Sequence, residues 1–138
     1  MYPTTPILAT IPCQPTILAI EDDEDNLLYI SSALNLFNYR CLTASNAMLG
    51  LSIAQRWQPD LILLDVKMPH ISGIELVKIL KIDWLTRKIP VVAVTALARE
   101  KEKRIILDAG FRDYLLKPYL LKELENIICS NITNTSLC

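Results

Sequence analysis

Short unbroken apolar runs alternate along this chain with longer stretches in which apolar residues recur every three or four positions. The runs are Thr16 to Ile20, Leu61 to Leu64 and Val91 to Val94, with shorter versions at Arg40 to Thr43 and Tyr114 to Leu116. Continuous apolar character over four or five residues predicts strands buried on both faces, as in a parallel sheet. Between them Leu27, Leu28, Ile30, Ser31, Leu34 and Phe37 recur at helical spacing, and Met48, Leu49, Leu51, Ile53 and Trp57 mark a second helix. Further helices are expected from Ile74 to about Ile82, from the charged stretch Arg99 to Arg104 as far as Asp108, and from Leu120 to Cys129. Asp25 is expected to cap the first helix and Ser45 or Asn46 the second, while Asn38, Pro59 and Gly110 punctuate the connections.

Five strands alternating with five helices predict an α/β fold, a doubly wound parallel sheet with helices on both faces. Of the common strand orders, 2-1-3-4-5 suits five strands best; it is the flavodoxin-like arrangement and makes the first and third strands neighbours. Residues 1–15 alternate Pro and Thr with single apolar residues and read as an extended tail, residues 16–129 as the folded domain, and residues 130–138 as a second tail.

The strand ends carry the chemistry. The first run stops at Glu21 and Asp22, the third at Asp65, the fourth at Thr95, and Lys117 follows the fifth. In a parallel sheet these positions share one edge, so three acids, a hydroxyl and an ammonium are expected to converge. Three clustered carboxylates repel one another without a cation, and an all-oxygen donor set suits Mg²⁺, with Mn²⁺ as the alternative. Asp65 could then attack a phosphoryl group to form an acyl phosphate, with Thr95 and Lys117 neutralising charge on the phosphoryl oxygens. Taken singly, each residue has an ordinary reading as a turn, a cap or a surface charge; their joint placement sets them apart.

Composition narrows the field. A net charge of −1, from 14 basic and 15 acidic residues, offers no basic footprint for nucleic acid. The mean hydropathy of +0.30 is high, yet charges interrupt every apolar stretch well short of a membrane span, and the first twenty residues contain no Lys or Arg. Cys13, Cys41, Cys129 and Cys138 are scattered and His70 is the only histidine, so neither a zinc site nor a redox pair is suggested. A cytoplasmic location, without membrane or direct nucleic-acid contact, is the expectation.

The segments ILAIEDDEDN, PDLILLDVKMPHISGIEL, IPVVAVTALA and DYLLKPY, in this order, resemble the receiver domains of two-component response regulators. The resemblance implies roles residue by residue. Asp65 is the expected phosphoacceptor, Asp22 a direct metal ligand, Glu21 an acid acting on the metal through water, and Lys67 a ligand through its backbone carbonyl. Thr95 is the expected switch hydroxyl, Tyr114 the aromatic that turns with it, Lys117 the phosphate-binding lysine, and Lys117-Pro118 a cis peptide. Glu21 stands where Asp is more usual, which implies altered metal affinity. Lys67 and Leu97 occupy variable positions that tune phosphoryl lifetime in that family, and Leu97 is expected to shield Asp65 from water.

The resemblance implies a stand-alone regulator phosphorylated by a sensor histidine kinase or histidine phosphotransfer protein. Its expected output is a changed surface on the fourth helix, fifth strand and fifth helix, or onward phosphorelay, as a monomer or a phosphorylation-dependent dimer. It would be no enzyme beyond its own phosphorylation and dephosphorylation. The alternative is a receiver-like interaction module that works without phosphorylation. A phosphohydrolase with an Asp nucleophile is disfavoured because Lys67 stands where a second Asp would act as acid, and a flavin-binding flavodoxin because Glu21 to Asp25 would repel a phosphate.

Overall fold

The computed structural model describes residues 14–96 and 99–132. Its strands are β1 (Thr16–Ile20), β2 (Arg40–Ala44), β3 (Leu61–Asp65), β4 (Val91–Thr95) and β5 (Asp113–Leu116), and its helices α1 (Glu24–Leu36), α2 (Ala47–Trp57), α3 (Gly73–Ile82), α4 (Glu100–Ala109) and α5 (Leu121–Asn131). The sheet is parallel throughout and ordered β2-β1-β3-β4-β5. This is the doubly wound arrangement expected from the pattern.

Alternation along each strand splits the core in two. Ile17, Ala19, Leu61, Leu63, Val92 and Val94 meet Ile30 and Leu34 of α1 and Leu124 and Ile128 of α5. Leu18, Ile20, Ile62, Leu64, Val91 and Ala93 meet α2, α3 and α4 through Ala54, Leu76, Leu80 and Ile106. Strands β3 and β4 are buried along their whole length, which accounts for their apolar character up to the terminal Asp65 and Thr95.

The helix ends follow local hydrogen bonding. Asp23, not Asp25, caps α1: its side chain accepts from the Asp25 and Asn26 N–H groups, and Asp25 lies in the first helical turn. Asn46 caps α2 through the Leu49 N–H. That helix ends at Gln58 in the left-handed region (φ 48°), one residue before Pro59. Ser72 and Glu75 form a reciprocal capping box on α3. Helix α5 continues past Cys129 to Asn131, a buried residue whose amide donates to Asp113 and to the Ile127 carbonyl.

At the other end, the Pro15 carbonyl accepts from Arg40 N–H and the Gln14 amide donates to the Asn38 carbonyl, so these two residues pack with the sheet. The rest of the two expected tails, residues 1–13 and 133–138, lies outside the described residues.

Candidate active site

Each expected site residue leaves the sheet at the same edge. Glu21 and Asp22 follow β1; Asp65 and Thr95 are the last residues of β3 and β4; Lys117 follows β5. With β1 beside β3 and β3 beside β4, the in-register pairs Ile20–Leu64 and Asp65–Val94 bring the strand ends level. The Glu21 N–H donates to the Ala44 carbonyl and the Lys117 N–H to the Thr95 carbonyl, which ties both flanking residues to adjacent strands.

The side chains converge as the topology requires. Single carboxylate oxygens of Glu21, Asp22 and Asp65 lie within 4.8 Å of one another. Lys117 Nζ donates to Glu21 Oε1 at 3.1 Å and stands 3.6 Å from Asp65 Oδ1. Together with Asp23, Asn26, Lys67, Thr95 and Ala96 these residues line a cavity of about 260 Å³. Glu21, Asp65 and Thr95 are buried whereas Asp22 is exposed, so the cluster has a sealed floor and an open rim.

Glu21 is saturated with donors. Its Oε1 accepts from Lys117 and, at 3.4 Å, from the Asn26 amide, while Oε2 accepts from the Asp23 N–H at 3.2 Å. Burial pushes the Glu21 carboxyl up, but hydrogen bonds with Asp65, the Asp23 N–H and Lys117 outweigh it and hold the group below its ordinary range. Asp65 behaves oppositely. Burial and the neighbouring Glu21 charge push it up to about 7, with only partial relief from Lys117 and the Lys67 N–H, which donates to its Oδ1 at 3.3 Å. Burial works against the Lys117 charge, yet Asp65 and Glu21 together hold it above the ordinary lysine value.

A carboxyl pushed up by burial and by a neighbouring acid marks a place short of positive charge. The donor set offers only carboxylate and carbonyl oxygens, with no His or Cys in the cluster, which fits a hard divalent cation such as Mg²⁺. Glu21, Asp22 and Asp65 could hold it, with the Lys67 carbonyl next in the chain. Lys67 itself is exposed.

Other expected positions fall as follows. Tyr114 is half-buried on β5 against α4, with Lys103 Nζ 5.6 Å from its ring centre. The Lys117-Pro118 bond is cis. His70 is exposed in the loop after β3, in the left-handed region. Leu97 lies outside the described residues.

Two contributors were not read from the sequence. Asn26 reaches back from the first turns of α1 to Glu21, a role signalled only by a short amide following the acids. Gly73 opens α3 against the backbone of Asp65: a Cβ there would collide with the Asp65 carbonyl oxygen and meet Val66 Cα at 2.8 Å. A second cavity of about 470 Å³ shares Glu21, Asn26, Ala96 and Lys117 with the first and extends to Tyr29 and Tyr119, whose rings sit 5.8 Å apart.

Comparison with known proteins agrees with this geometry. The family model described as the response regulator receiver domain matches residues 17–129. The phosphate regulon transcriptional regulatory protein PhoB of Pseudomonas aeruginosa is 40% identical over 109 residues, covering 79% of this chain and 48% of that protein, so the chain spans about half its length. The polar-differentiation response regulator DivK of Brucella anthropi is 35% identical over 103 residues, covering 75% of this chain and 84% of the relative. A solved receiver domain of a Pseudomonas aeruginosa sensor histidine kinase, with a magnesium ion coordinated in its active site cleft, superposes with a TM-score of 0.80 at 28% identity, covering 86% of this chain and 98% of that one.

Proposed function

This chain belongs to the response regulator receiver family, and from that premise we propose that it accepts a phosphoryl group on Asp65 from a phosphohistidine donor and signals through the resulting change of surface. The observation that carries the reading is the juxtaposition of Asp65 with Lys117 Nζ at 3.6 Å and with the Glu21 and Asp22 carboxylates inside one cavity.

Ionised Asp65 attacks phosphorus through a carboxylate oxygen; the bond from phosphorus to the donor nitrogen breaks, and the imidazole leaves with that electron pair. Lys117 is already at the cavity wall, positioned to move from Glu21 onto a phosphoryl oxygen, and the Lys67 N–H offers a second donor. When bound by Glu21, Asp22 and Asp65, Mg²⁺ supplies charge neutralisation for the carboxylates and the phosphoryl oxygens. The cavity between α1 and the loop after β5, with Tyr29 and Tyr119 in its wall, leaves a donor room to approach along that side.

In the phosphorylated protein Thr95, buried at the end of β4, bonds the new group, and Tyr114 two residues before Leu116 on the adjacent strand responds to its movement. The output surface is then α4, β5 and α5, read by a downstream protein or used in onward phosphorelay. The only catalysis in this reading is the domain's own phosphorylation and dephosphorylation.

Incubation with acetyl phosphate and Mg²⁺ followed by intact-mass measurement tests the proposal. One added phosphoryl group is expected on the native chain and none on Asp65→Asn. An unmodified native chain, under conditions where a known receiver is labelled, would instead favour a module that works by protein contact alone.

A further inference from the structure

Residues 78–88, at the end of α3 and in the turn that follows, expose four large apolar side chains: Ile79, Ile82, Trp84 and Leu85, with Ile82 83% and Trp84 76% accessible. Exposed Lys78, Arg87 and Lys88 flank them. Asp83, the one carboxylate in the stretch, accepts from the Gln55 amide at 2.7 Å and from the Leu85 N–H at 2.9 Å, bonds that favour its ionised form, so one negative charge stands against the positive charges of Lys78, Lys81, Arg87 and Lys88.

This turn is held from within. Thr86 is fully buried and donates its hydroxyl to the Leu80 carbonyl at 2.7 Å. Lys81 Nζ donates to the Ile89 carbonyl at 2.6 Å and the Arg87 carbonyl at 3.3 Å, and the Thr86 and Arg87 N–H groups both donate to the Asp83 carbonyl. The backbone from Leu80 to Ile89 is therefore fixed, and the exposed side chains stand on it as a preformed knob.

The edge of the sheet from which β3 and β5 start also carries Asp60 and Asp113, so the excess of positive charge is local to residues 78–88. Arg87 and Lys88 precede β4, at the edge of the sheet opposite the acids Glu21, Asp22 and Asp65, with a five-residue strand of roughly 17 Å between the two edges. A partner for the knob must carry negative charge and take in an indole and an isoleucine. A second copy of the same surface would set one net-positive stretch against another. An anionic lipid surface supplies both requirements, and it leaves the acidic cleft facing away from like charge.

We propose that this knob attaches the protein to anionic membrane surfaces, with Ile82 and Trp84 in the boundary between headgroups and acyl chains and Lys78, Arg87 and Lys88 on lipid phosphates. The attachment proposed is peripheral, through side chains of a surface turn; no helix among the described residues is long and apolar enough to cross a membrane. It is independent of the phosphorylation reading.

The test uses the full chain with Trp57→Phe, which leaves Trp84 as the only indole. Sedimentation with vesicles of phosphatidylcholine alone, or with about a third phosphatidylglycerol, is combined with quenching of Trp84 by lipids brominated on the acyl chain. Binding to the anionic vesicles with quenching is expected. Ile82→Ser with Trp84 retained, Lys78, Arg87 and Lys88 changed together to Gln, or salt raised from about 0.05 to about 0.5 M should each weaken it roughly tenfold. Circular dichroism confirms that the variants fold. Absence of binding, binding equal on neutral vesicles, or binding without quenching overturns the proposal. So does binding to polyglutamate that Ile82→Ser weakens while vesicles are ignored, an outcome that assigns the knob to an acidic protein.

Discussion

Lys117 donates to Glu21 at 3.1 Å while Asp65 stands 3.6 Å away, so the site's ammonium rests on the acid that is not the expected acceptor. Glu21 thereby keeps its charge, and the cost of crowding falls on Asp65. Removing the ammonium in Lys117→Gln is expected to raise the Asp65 carboxyl above about 7, seen by carbon NMR titration, and to slow phosphoryl uptake from acetyl phosphate by roughly 10²-fold. An unshifted Asp65 would show that the ammonium contributes nothing there.

The same crowding has a pH signature. Asp65 in the fold is pushed up to about 7 from an ordinary 3.8, so between those values the native state binds more protons than the unfolded chain. Stability must then fall as pH rises from about 4 to about 7, and level off above. Glu21 is shifted the other way, and its contribution is lost only as pH falls below its ordinary 4.5. In EDTA the window from about pH 5 to 8 therefore isolates Asp65, with an expected loss of about 2 kcal/mol. Urea unfolding should show this slope in the native chain, its absence in Asp65→Asn, and its loss when Mg²⁺ replaces EDTA.

Gly73 predicts a mutation whose harm is geometric. A methyl at this position strikes the Asp65 carbonyl and crowds Val66 Cα, both backbone, so relief requires moving the acceptor strand or α3. At Gly50 the methyl would meet a side chain and no backbone, Ile20 Cδ1 at 2.5 Å and Cγ1 at 2.9 Å. Gly73→Ala is expected to cost about 3 kcal/mol or more and Gly50→Ala about 1 kcal/mol. Thermal melts order the two, and the loss of phosphorylation in any folded Gly73→Ala should exceed that in Gly50→Ala.

Thr86 gives a stability test away from the site. Its hydroxyl is wholly buried and satisfies the Leu80 carbonyl near the end of α3. Thr86→Val keeps the shape and removes the donor, which should cost about 1–2 kcal/mol in urea unfolding. An unchanged midpoint would mean that water reaches the carbonyl.

The fold could be read from the chain because β1, β3 and β4 are covered on both sides and their residues have no reason to be polar. The cluster of Glu21, Asp22, Asp65, Thr95 and Lys117 was legible for a related reason: in a parallel sheet, position at the end of a strand is already a place in space. Details that depend on competition between neighbours were not. Within the acids from Glu21 to Asp25 several side chains could cap α1, and the outcome at Asp23 rests on which residue first turns helical. Asn26 and Gly73 act through close local contacts, without any periodic trace. Trp84 and Leu85 were passed over because an apolar residue carries no mark of which way it faces; Thr86 and Lys81, by fastening the turn, decide that.

Asp65 occupies a rung of the sheet itself, in register with Val94, and the next residue's N–H still bonds the Val94 carbonyl at 3.3 Å. Its main chain is thus clamped while its side chain points into the cavity. A charge delivered to the carboxyl cannot be relieved by a retreat of the residue that bears it, so adjustment must pass to whatever surrounds it. If Asp65 is the acceptor we propose, it is a fixed anvil, and the response falls to its neighbours.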